Sequence, residues 1–418
     1  MKIGYACLTV GVPGTKLRSC TMKNASPEVL EALIQSNLDS LNNVLDYNIN
    51  NGIKLFRISS DIIPFGSHPV NSLNWQEKFS SQLTEIGQKA LFSGTRLSMH
   101  PGQYTVLNSP DEKVVERAVD DLRYHAEFLD SLGLGEEHKI ILHIGGIYGD
   151  KKAAMERFIH QYNLLEANIR NRLVIENDDK QYNISDVLKI GFSQGIPVVF
   201  DNLHHQVNPD GKFTESEWIK RCSATWKKSD GLQKIHYSQQ DRGKRPGSHS
   251  ATIDVSGFLQ FYESIKGINA DIMLEVKDKN LSAIKCINSV SKPEIKNLEM
   301  EWSRYKYLVL EHSPNNYNKI RQILKNKKAY PILEFYRLID EAVIAPVKPG
   351  NAVNAAQHIW GYFKDSYNED MRKKFEKTLL KTSKGESAIP MKRVLWKMAE
   401  EQEQKYLLES LYFIEAAM

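Results

Sequence analysis

Seven side chains able to bind a metal or move a proton occupy one kind of position in this sequence. His100 closes the run RLSMH, His143 lies in KIILHIGG and Glu176 in RLVIEND. Asp201 ends IPVVFD with His204 three residues on, His236 lies in KIHYS, and Glu275 in DIMLEV. A lone histidine at the end of an apolar run is commonly a satisfied structural residue, but six consecutive runs each delivering a histidine or a carboxylate are hard to dismiss. Imidazoles and carboxylates without thiolates suit Zn²⁺, Mn²⁺ or a related divalent ion, and this set is too large for one ion. The expectation is a cluster of two or three. His100 and His143 with Glu176 can hold one ion; Glu176, Asp201, His236 and Glu275 a second; His204 is available for a third. Glu176 can bridge, as an imidazole cannot. Closely spaced divalent ions activate water, bind phosphate and stabilise a leaving alkoxide, which is the chemistry of phosphodiester hydrolysis. Sugar isomerases and epimerases use two ions with more carboxylates and fewer histidines, so phosphate chemistry is favoured.

The elements that must carry these residues recur through the first 280 positions. Eight short apolar runs read as strands: KIGYACL (2 to 8), KLFRIS (54 to 59), RLSMH (96 to 100), KIILHIGG (139 to 146), RLVIEND (172 to 178), IPVVFD (196 to 201), KIHYS (234 to 238) and DIMLEV (271 to 276). None alternates polar with apolar, which suits parallel strands covered on both faces. Helical patterns lie between them, such as SPEVLEALIQSNLDSLNNVLDYNINNG and DEKVVERAVDDLRYHAEFLDSLG, each running into a terminating glycine. Eight such repeats predict an α/β protein, a (β/α)8 TIM barrel over residues 1–296, with the seven side chains on its catalytic rim. A doubly wound sheet is the structural alternative, disfavoured because no glycine-rich phosphate turn follows the first run. Beyond VSKPEIKN the strand signals stop, and an all-α C-terminal domain is expected over 297–418. Its helices are EWSRYKYLVLEHS, PNNYNKIRQILKN, YPILEFYRLIDEAV, AAQHIWGYFKDSYNEDMRKKFEKTLLK and a long KRVLWKMAEEQEQKYLLESLYFIEAA.

Composition sets the outer bounds. With 418 residues, 41% hydrophobic, and a net charge of +4, the chain has material for large cores and no excess of self-repulsion, so a disordered protein is excluded. No run approaches the length of a secretory signal or a membrane span, and a cytoplasmic protein is expected. Four scattered cysteines (Cys7, Cys20, Cys222, Cys286) fit neither a disulfide scaffold nor a cysteine zinc site. Residues 301–418 carry 20 Lys+Arg against 15 Asp+Glu, a net +5, leaving −1 for the first 300. Among the other histidines, His125 and His138 read as surface residues, His205 as pointing away from His204, and His312 and His358 as lying too far along the chain to join the cluster.

With these residues assembled, the chain resembles the UV damage endonuclease family. The likeness is carried by LFRISSDIIPFGSHPV (55 to 70), SMHPGQYTVLNSP (98 to 110), ILHIGGIYGDK (141 to 151), IENDDK (175 to 180), VFDNLHH (199 to 205), KIHYS (234 to 238), GSHSATIDV (247 to 255) and MLEVKDKN (273 to 280). The resemblance implies metal roles for His68, His100, His143, Glu176, Asp201, His204, His236, His249 and Glu275; spacing alone yields neither His68 nor His249. It also implies catalytic roles for Glu176, His68 and Lys234, the last as a carboxylated lysine beside the metals, where the plain alternative is a phosphate-contacting or exposed lysine. Gln103 and Tyr104 match a pair thought to enter the duplex at the lesion, where an aromatic and an amide can replace lost stacking and pairing. Tyr5 matches a lesion-side tyrosine, although the asparagine expected just after it is replaced by Leu8-Thr9. The implied activity is hydrolysis 5′ to an ultraviolet photoproduct in double-stranded DNA, with Mn²⁺ the expected ion and Zn²⁺, Mg²⁺ or Co²⁺ possible, by a monomer in the cytoplasm that joins the nucleoid during repair. An abasic-site nuclease of the endonuclease IV kind shares the metal layout but not the HPGQY segment. A metal-dependent DNA-binding module would need a broken ligand set, and none is visible. KYLVLEHSPNNYNKIR resembles a small helical bacterial domain of unknown function.

Overall fold

A computed structural model describes residues 1–363 and 368–416. Each of the eight apolar runs forms a strand: β1 (Ile3–Ala6), β2 (Leu55–Ile58), β3 (Arg96–Met99), β4 (Lys139–His143), β5 (Leu173–Glu176), β6 (Val198–Asp201), β7 (Gln233–Tyr237) and β8 (Ala270–Leu274). They pair in parallel, in sequence order, and β8 returns to β1 through Ile272 and Ile3 to close the barrel. Side chains alternate between the lumen and the surrounding helices. Where β1 meets β2, a Cβ on Gly4 would stand 1.7 Å from the carbonyl oxygen of Leu55, so only glycine permits that approach.

The helices are bounded as their end signals suggest. Helix Pro27–Asn50 starts at an N-cap Ser26 whose side chain accepts from Val29 N, and helix Glu112–Ser131 starts at Asp111, which accepts from Lys113 N. Gly52 and Gly133 follow them with φ of 69° and 68°, the left-handed turn that a side chain would resist.

At the amino-terminal end of the strands the lumen is plugged by charge. Arg96 donates to Asp271 Oδ2 (3.1 Å) and to the carbonyls of Leu232, Asp230 and Glu137, while Lys139 donates to Asp230 Oδ1 (2.5 Å) and Asn171 O. Beside this plug His138 is buried, not a surface residue as expected, and its Nδ1 accepts from Leu97 N at 3.0 Å. Above it, Ile141, Val174 and Val199 form an apolar layer, and the potential ligands stand one step higher.

The chain divides into two compact units, Met1–Thr9, Gly14–Ile253 and Gln260–Ile284 forming one, and Val10–Pro13, Asp254–Leu259 and Lys285–Met418 the other. The main division by contacts falls at 284/285, inside the helix Asn280–Val290. The reason is visible in the second half of that helix: Lys285, buried, pairs with Asp340 at 2.8 Å, and Asn288 donates to Tyr336 Oη at 3.1 Å. The second unit is helical as expected, with helices Ile295–His312, Pro314–Ile323 and Ile332–Val343 over three of the predicted patterns. Two expectations are corrected. The pattern from Ala355 to Lys381 is two helices, Pro349–Trp360 and Glu369–Ser383, of which positions 364–367 lie outside the described residues. The final pattern is helix Ile389–Glu401, then Lys405–Leu408 and a 3-10 turn, Leu411–Phe413, because Glu403 takes a positive φ of 49°. A core that includes Phe375, Leu395, Met398 and Phe413 holds this unit together. No helix among the described residues is long and apolar enough to cross a membrane.

Burial, with Arg96, Lys234 and Arg172 nearby, lowers the His138 pKa to about 3. A histidine depressed in the folded state protonates first when unfolded. Its contribution is therefore present above about pH 6.5 and lost as pH falls toward 3, about 2 kcal/mol between pH 7 and 5. His138→Asn, whose amide oxygen can accept from Leu97 N, is expected to flatten the loss of urea stability over that interval by this amount. Identical pH dependence in the two proteins would refute the assignment.

Candidate metal centre

Glu176 ends β5 with its side chain in the lumen, 1% exposed, and its two oxygens face different partners. Oε1 lies 2.6 Å from His236 Nδ1, while Oε2 lies 3.4 Å from His100 Nε2 and 3.7 Å from His143 Nε2. Two groups of ligand atoms result, His100, His143 and Glu176 in one and Glu176, Asp201 and His236 in the other. Atoms bound at about 2.1 Å to one ion lie about 3.0–3.5 Å apart; the separation of Glu176 Oε2 from His100 Nε2 falls in that range, and that from His143 Nε2 slightly beyond it. Orphaned atoms point the same way. Glu176 Oε2, Asp201 Oδ2 and His236 Nε2 are all buried with no hydrogen-bond partner among the described residues, a costly state that cations would relieve for the oxygens and for an imidazole nitrogen that carries no proton. The donor set, imidazole and carboxylate without sulfur, fits Mn²⁺ or Zn²⁺.

Electrostatics couple these groups. Burial pushes the Glu176 carboxyl up, but His236, His100 and His143 more than reverse it and hold it well below the usual range. Asp201 is raised to about 6 by burial, with Glu176 and Glu275 adding to it against His204. Burial, helped by His100 and His204, lowers His143 to about 4. His204 goes the other way: against its own burial, Asp201, Glu176 and Glu275 raise it to about 9.

The remaining sequence candidates divide. His204 Nδ1 donates to Asn177 O (2.9 Å) and lies 3.8 Å from Asp201 and 3.9 Å from Glu176, so its Nε2 is the atom free to bind. His249, whose backbone bridges to Gln240, reaches Glu275 Oε2 at 3.8 Å. Glu275 follows β8 and faces His236 at 3.2 Å. His68 is exposed on the loop after β2, its Nδ1 accepting from Val70 N, and none of the ion pairs of the cluster includes it. Lys234 is fully buried in the lumen one step below His236, with no partner for Nζ among the described residues. Burial, reinforced by Arg96, Arg57 and Lys139 against Asp271, holds its pKa well below the lysine value; the exposed-lysine alternative does not apply. Gln103 and Tyr104 are exposed at the tip of the loop after β3, Tyr104 by 74%. The loop's base is fixed by Thr105, which donates to Asp121 at 2.6 Å, and by Asn108, which donates to Gly146 O at 2.7 Å. Tyr5 is a correction: it is 0% exposed, its ring packs on Phe56, and its hydroxyl donates to Asn48 Oδ1 (2.9 Å). Its parity in β1, opposite to Ala6, turns it toward helix Pro27–Asn50 and away from the mouth.

Three supports escaped the sequence reading. Arg57, in the lumen at the end of β2, donates to Glu275 Oε1 at 2.5 Å and so leaves Oε2 toward His249. Asn177 exchanges hydrogen bonds with the Asp201 backbone (3.0 and 2.9 Å) while its carbonyl holds His204. His125, expected at the surface, is buried with Nε2 2.8 Å from Ser60 Oγ, and Ser60 donates to His100 O. Nothing in the spacing of these residues separates them from structural polar groups. His205 is buried against Phe200, His312 Nδ1 meets Ala345 O, and His358 is exposed; none joins the ligand groups.

A closed parallel barrel whose carboxyl-terminal rim gathers histidines and buried carboxylates around one shared glutamate is thus the class of protein that the fold and site define. Residues 1–306 match the family described as UV-endonuclease UvdE, and the chain belongs to that family. It is 44% identical over 351 residues to the UV DNA damage endonuclease of Clostridium perfringens (strain 13 / Type A), covering 83% of this chain and 84% of that one. The UV DNA damage endonuclease of Bacillus pumilus (strain SAFR-032) is 33% identical over 271 residues, 64% of this chain and 85% of that one. Among solved structures, the crystal structure of SacUVDE is 40% identical with a TM-score of 0.66, covering 69% of this chain and 97% of that one. Residues 306–415 match a protein family of unknown function, DUF1722.

The two-sided position of Glu176 has a measurable consequence. After chelation and reloading with Mn²⁺, Glu176→Gln is expected to lose metal from both groups and Asp201→Asn from one, read as ions per chain by elemental analysis. Full occupancy in Glu176→Gln would show that the carboxylate bridges nothing.

Proposed function

We propose that this chain is a DNA repair nuclease that hydrolyses the phosphodiester immediately 5′ to an ultraviolet photoproduct in duplex DNA, leaving a 3′-hydroxyl and a 5′-phosphate. The observation that carries the reading is the pair of ligand groups sharing Glu176 at the mouth of a barrel that also presents Gln103 and Tyr104 to solvent. The names of the similar proteins, UV DNA damage endonuclease, favour the same activity. Two or three divalent ions, Mn²⁺ first among them, would supply positive charge for the scissile phosphate, an activated water and stabilisation of the departing oxygen.

The chain's own residues do the holding and aiming. His100 and His143 would take one ion with Glu176 Oε2, and His236 and Asp201 a second with Oε1. Glu275, kept charged by Arg57, and His249 and His204 close the side toward β6 and β8 and are the expected ligands of a third. His68 has Nε2 free, and its loop gives it access to the phosphate or an outer ion. Lys234, buried and with its amine held well below the usual lysine pKa, would in its unprotonated form add CO₂ at Nζ: the nitrogen lone pair forms the N–C bond and a proton leaves, giving a carbamate whose negative charge would answer Arg57 and Arg96. Gln103 and Tyr104 would fill the gap in the duplex when the damaged bases turn out, on a loop whose base does not yield.

The test is a duplex with one cyclobutane dimer, beside undamaged and abasic duplexes, incubated with the protein and Mn²⁺. A single nick 5′ to the dimer, reduced about a hundredfold or more by Glu176→Gln, is the expected result; cleavage of the abasic duplex alone would overturn the reading. In binding measurements, the double change Gln103→Ala and Tyr104→Ala is expected to weaken damaged DNA more than undamaged DNA while metal content is kept. An equal loss on both duplexes would make the two residues ordinary backbone contacts.

A further inference from the structure

The positive charge of the helical unit is concentrated in one place. Residues 371–397 hold nine Lys and Arg (372, 373, 374, 377, 381, 384, 392, 393, 397) against two Asp and Glu (376, 386), a net +7. The rest of 301–418 has 20 − 9 = 11 against 15 − 2 = 13, a net −2. Between helices Glu369–Ser383 and Ile389–Glu401 lies a groove of about 440 Å³ lined by Lys374, Lys377, Lys381 and Arg393, with Glu386 its one acid.

Packing fixes which way these cations face. Phe375 is buried and stacks on Trp360 at 4.3 Å, and Thr382 is buried too, so the first helix cannot rotate its lysines elsewhere. Positions 374, 377 and 381 repeat at three and four residues and form one row, about 10 Å long at about 1.5 Å per residue. A solvated helix face would look different, and the same unit shows how. Arg372 pairs with Glu376 at 2.8 Å, Arg337 with Glu341 at 2.5 Å and Lys397 with Glu401 at 3.6 Å, each one turn apart. Among the described residues, Lys374, Lys377 and Arg393 have no carboxylate within ion-pair distance, and Lys381 has only the exposed Glu386 at 3.6 Å. Like charges one turn apart repel, so the row costs helix stability and returns none.

We propose that this groove binds the phosphodiester backbone of duplex DNA. A single phosphate would call for donors converging on a point, whereas these cations are strung along a line with a guanidinium on the facing helix, which suits a linear chain of monoanions. The choice of DNA as that polyanion rests on the proposed substrate of the barrel. Contact is with backbone only, so it is independent of sequence and of damage.

The experiment uses the full chain loaded with Mn²⁺ and a short undamaged duplex. Lys374, Lys377, Lys381 and Arg393 are changed together to Gln, and a control changes Lys319, Lys325, Lys328 and Lys348, all exposed and outside the groove, to Gln. Both remove the same formal charge. Affinity is measured across a series of salt concentrations. Every phosphate that no longer meets a cation should flatten the slope of log affinity against log salt by about 0.9, so the groove variant is expected to be shallower by about two to three, and the control by less than about one. Equal slopes in wild type and groove variant, or equal flattening by the two variants, overturns the proposal. So does a groove variant that loses binding to an RNA duplex and keeps it to DNA. Nicking of a dimer-containing duplex by the wild type is scored separately: its absence would sink the repair reading while the salt slopes still decide the groove.

Discussion

The rest of the catalytic half is arranged around a carboxylate that must stay charged where charge is expensive. Glu176 is almost wholly withdrawn from solvent at the top of the lumen, and an isolated carboxylate there would take up a proton. What keeps it ionised is a ring of imidazoles on β3, β4 and β7, and what keeps those imidazoles in place is a further ring of backbone and side-chain contacts: Ser60 under His100, Asn177 under His204, Arg57 against Glu275. Neighbouring strands supply successive members of the ring, and closure of the barrel brings residues more than a hundred positions apart onto one carboxylate. The fold and the site are one constraint seen at two distances.

The lumen also explains why the polar groups do not quench one another. Charge occurs at two levels, the Arg96, Lys139, Asp230 and Asp271 plug below and the ligand cluster above, separated by Ile141, Val174 and Val199. Lys234 is the single amine left between these levels. Cations from both sides press on it, and an ammonium there would be a third positive charge in a space holding Arg57 and Arg96. Burial and these neighbours disfavour the charged form of a lysine in that place.

What the sequence made legible was whatever repeats. Eight apolar runs at barrel spacing identified all the strands, and the ligands at their ends were recognisable because type and position coincided six times. Residues that act through a backbone atom or a single partner left no such trace. Nothing in the sequence pattern marks Arg57 or Asn177, and His125 and His138 read as surface residues; yet Arg57 reaches Glu275, and the other three are buried by contacts with other segments. The burial of Tyr5 was not legible for a finer reason. One residue of parity in β1 decides between the mouth of the barrel and the helix layer, and a match of motif does not report parity.

The backbone itself marks the working end. Five residues other than glycine take positive φ among those described, and four of them, Cys7, Phe65, Tyr148 and Lys279, sit in the segments that follow β1, β2, β4 and β8. For bulky side chains this conformation is strained, by about 1–3 kcal/mol each, and it persists only where surrounding contacts over-determine it. Those contacts are present: Cys7 N donates to Arg57 O, and His68 N to Phe65 O. The strained turns therefore fall at the same edge as the ligands, on segments that must double back tightly to leave the mouth open. A barrel used only as a scaffold would gain by relaxing them. Their restriction to the carboxyl-terminal edge, with the amino-terminal edge closed by salt bridges, shows that stability has been concentrated at one end of the lumen and access at the other.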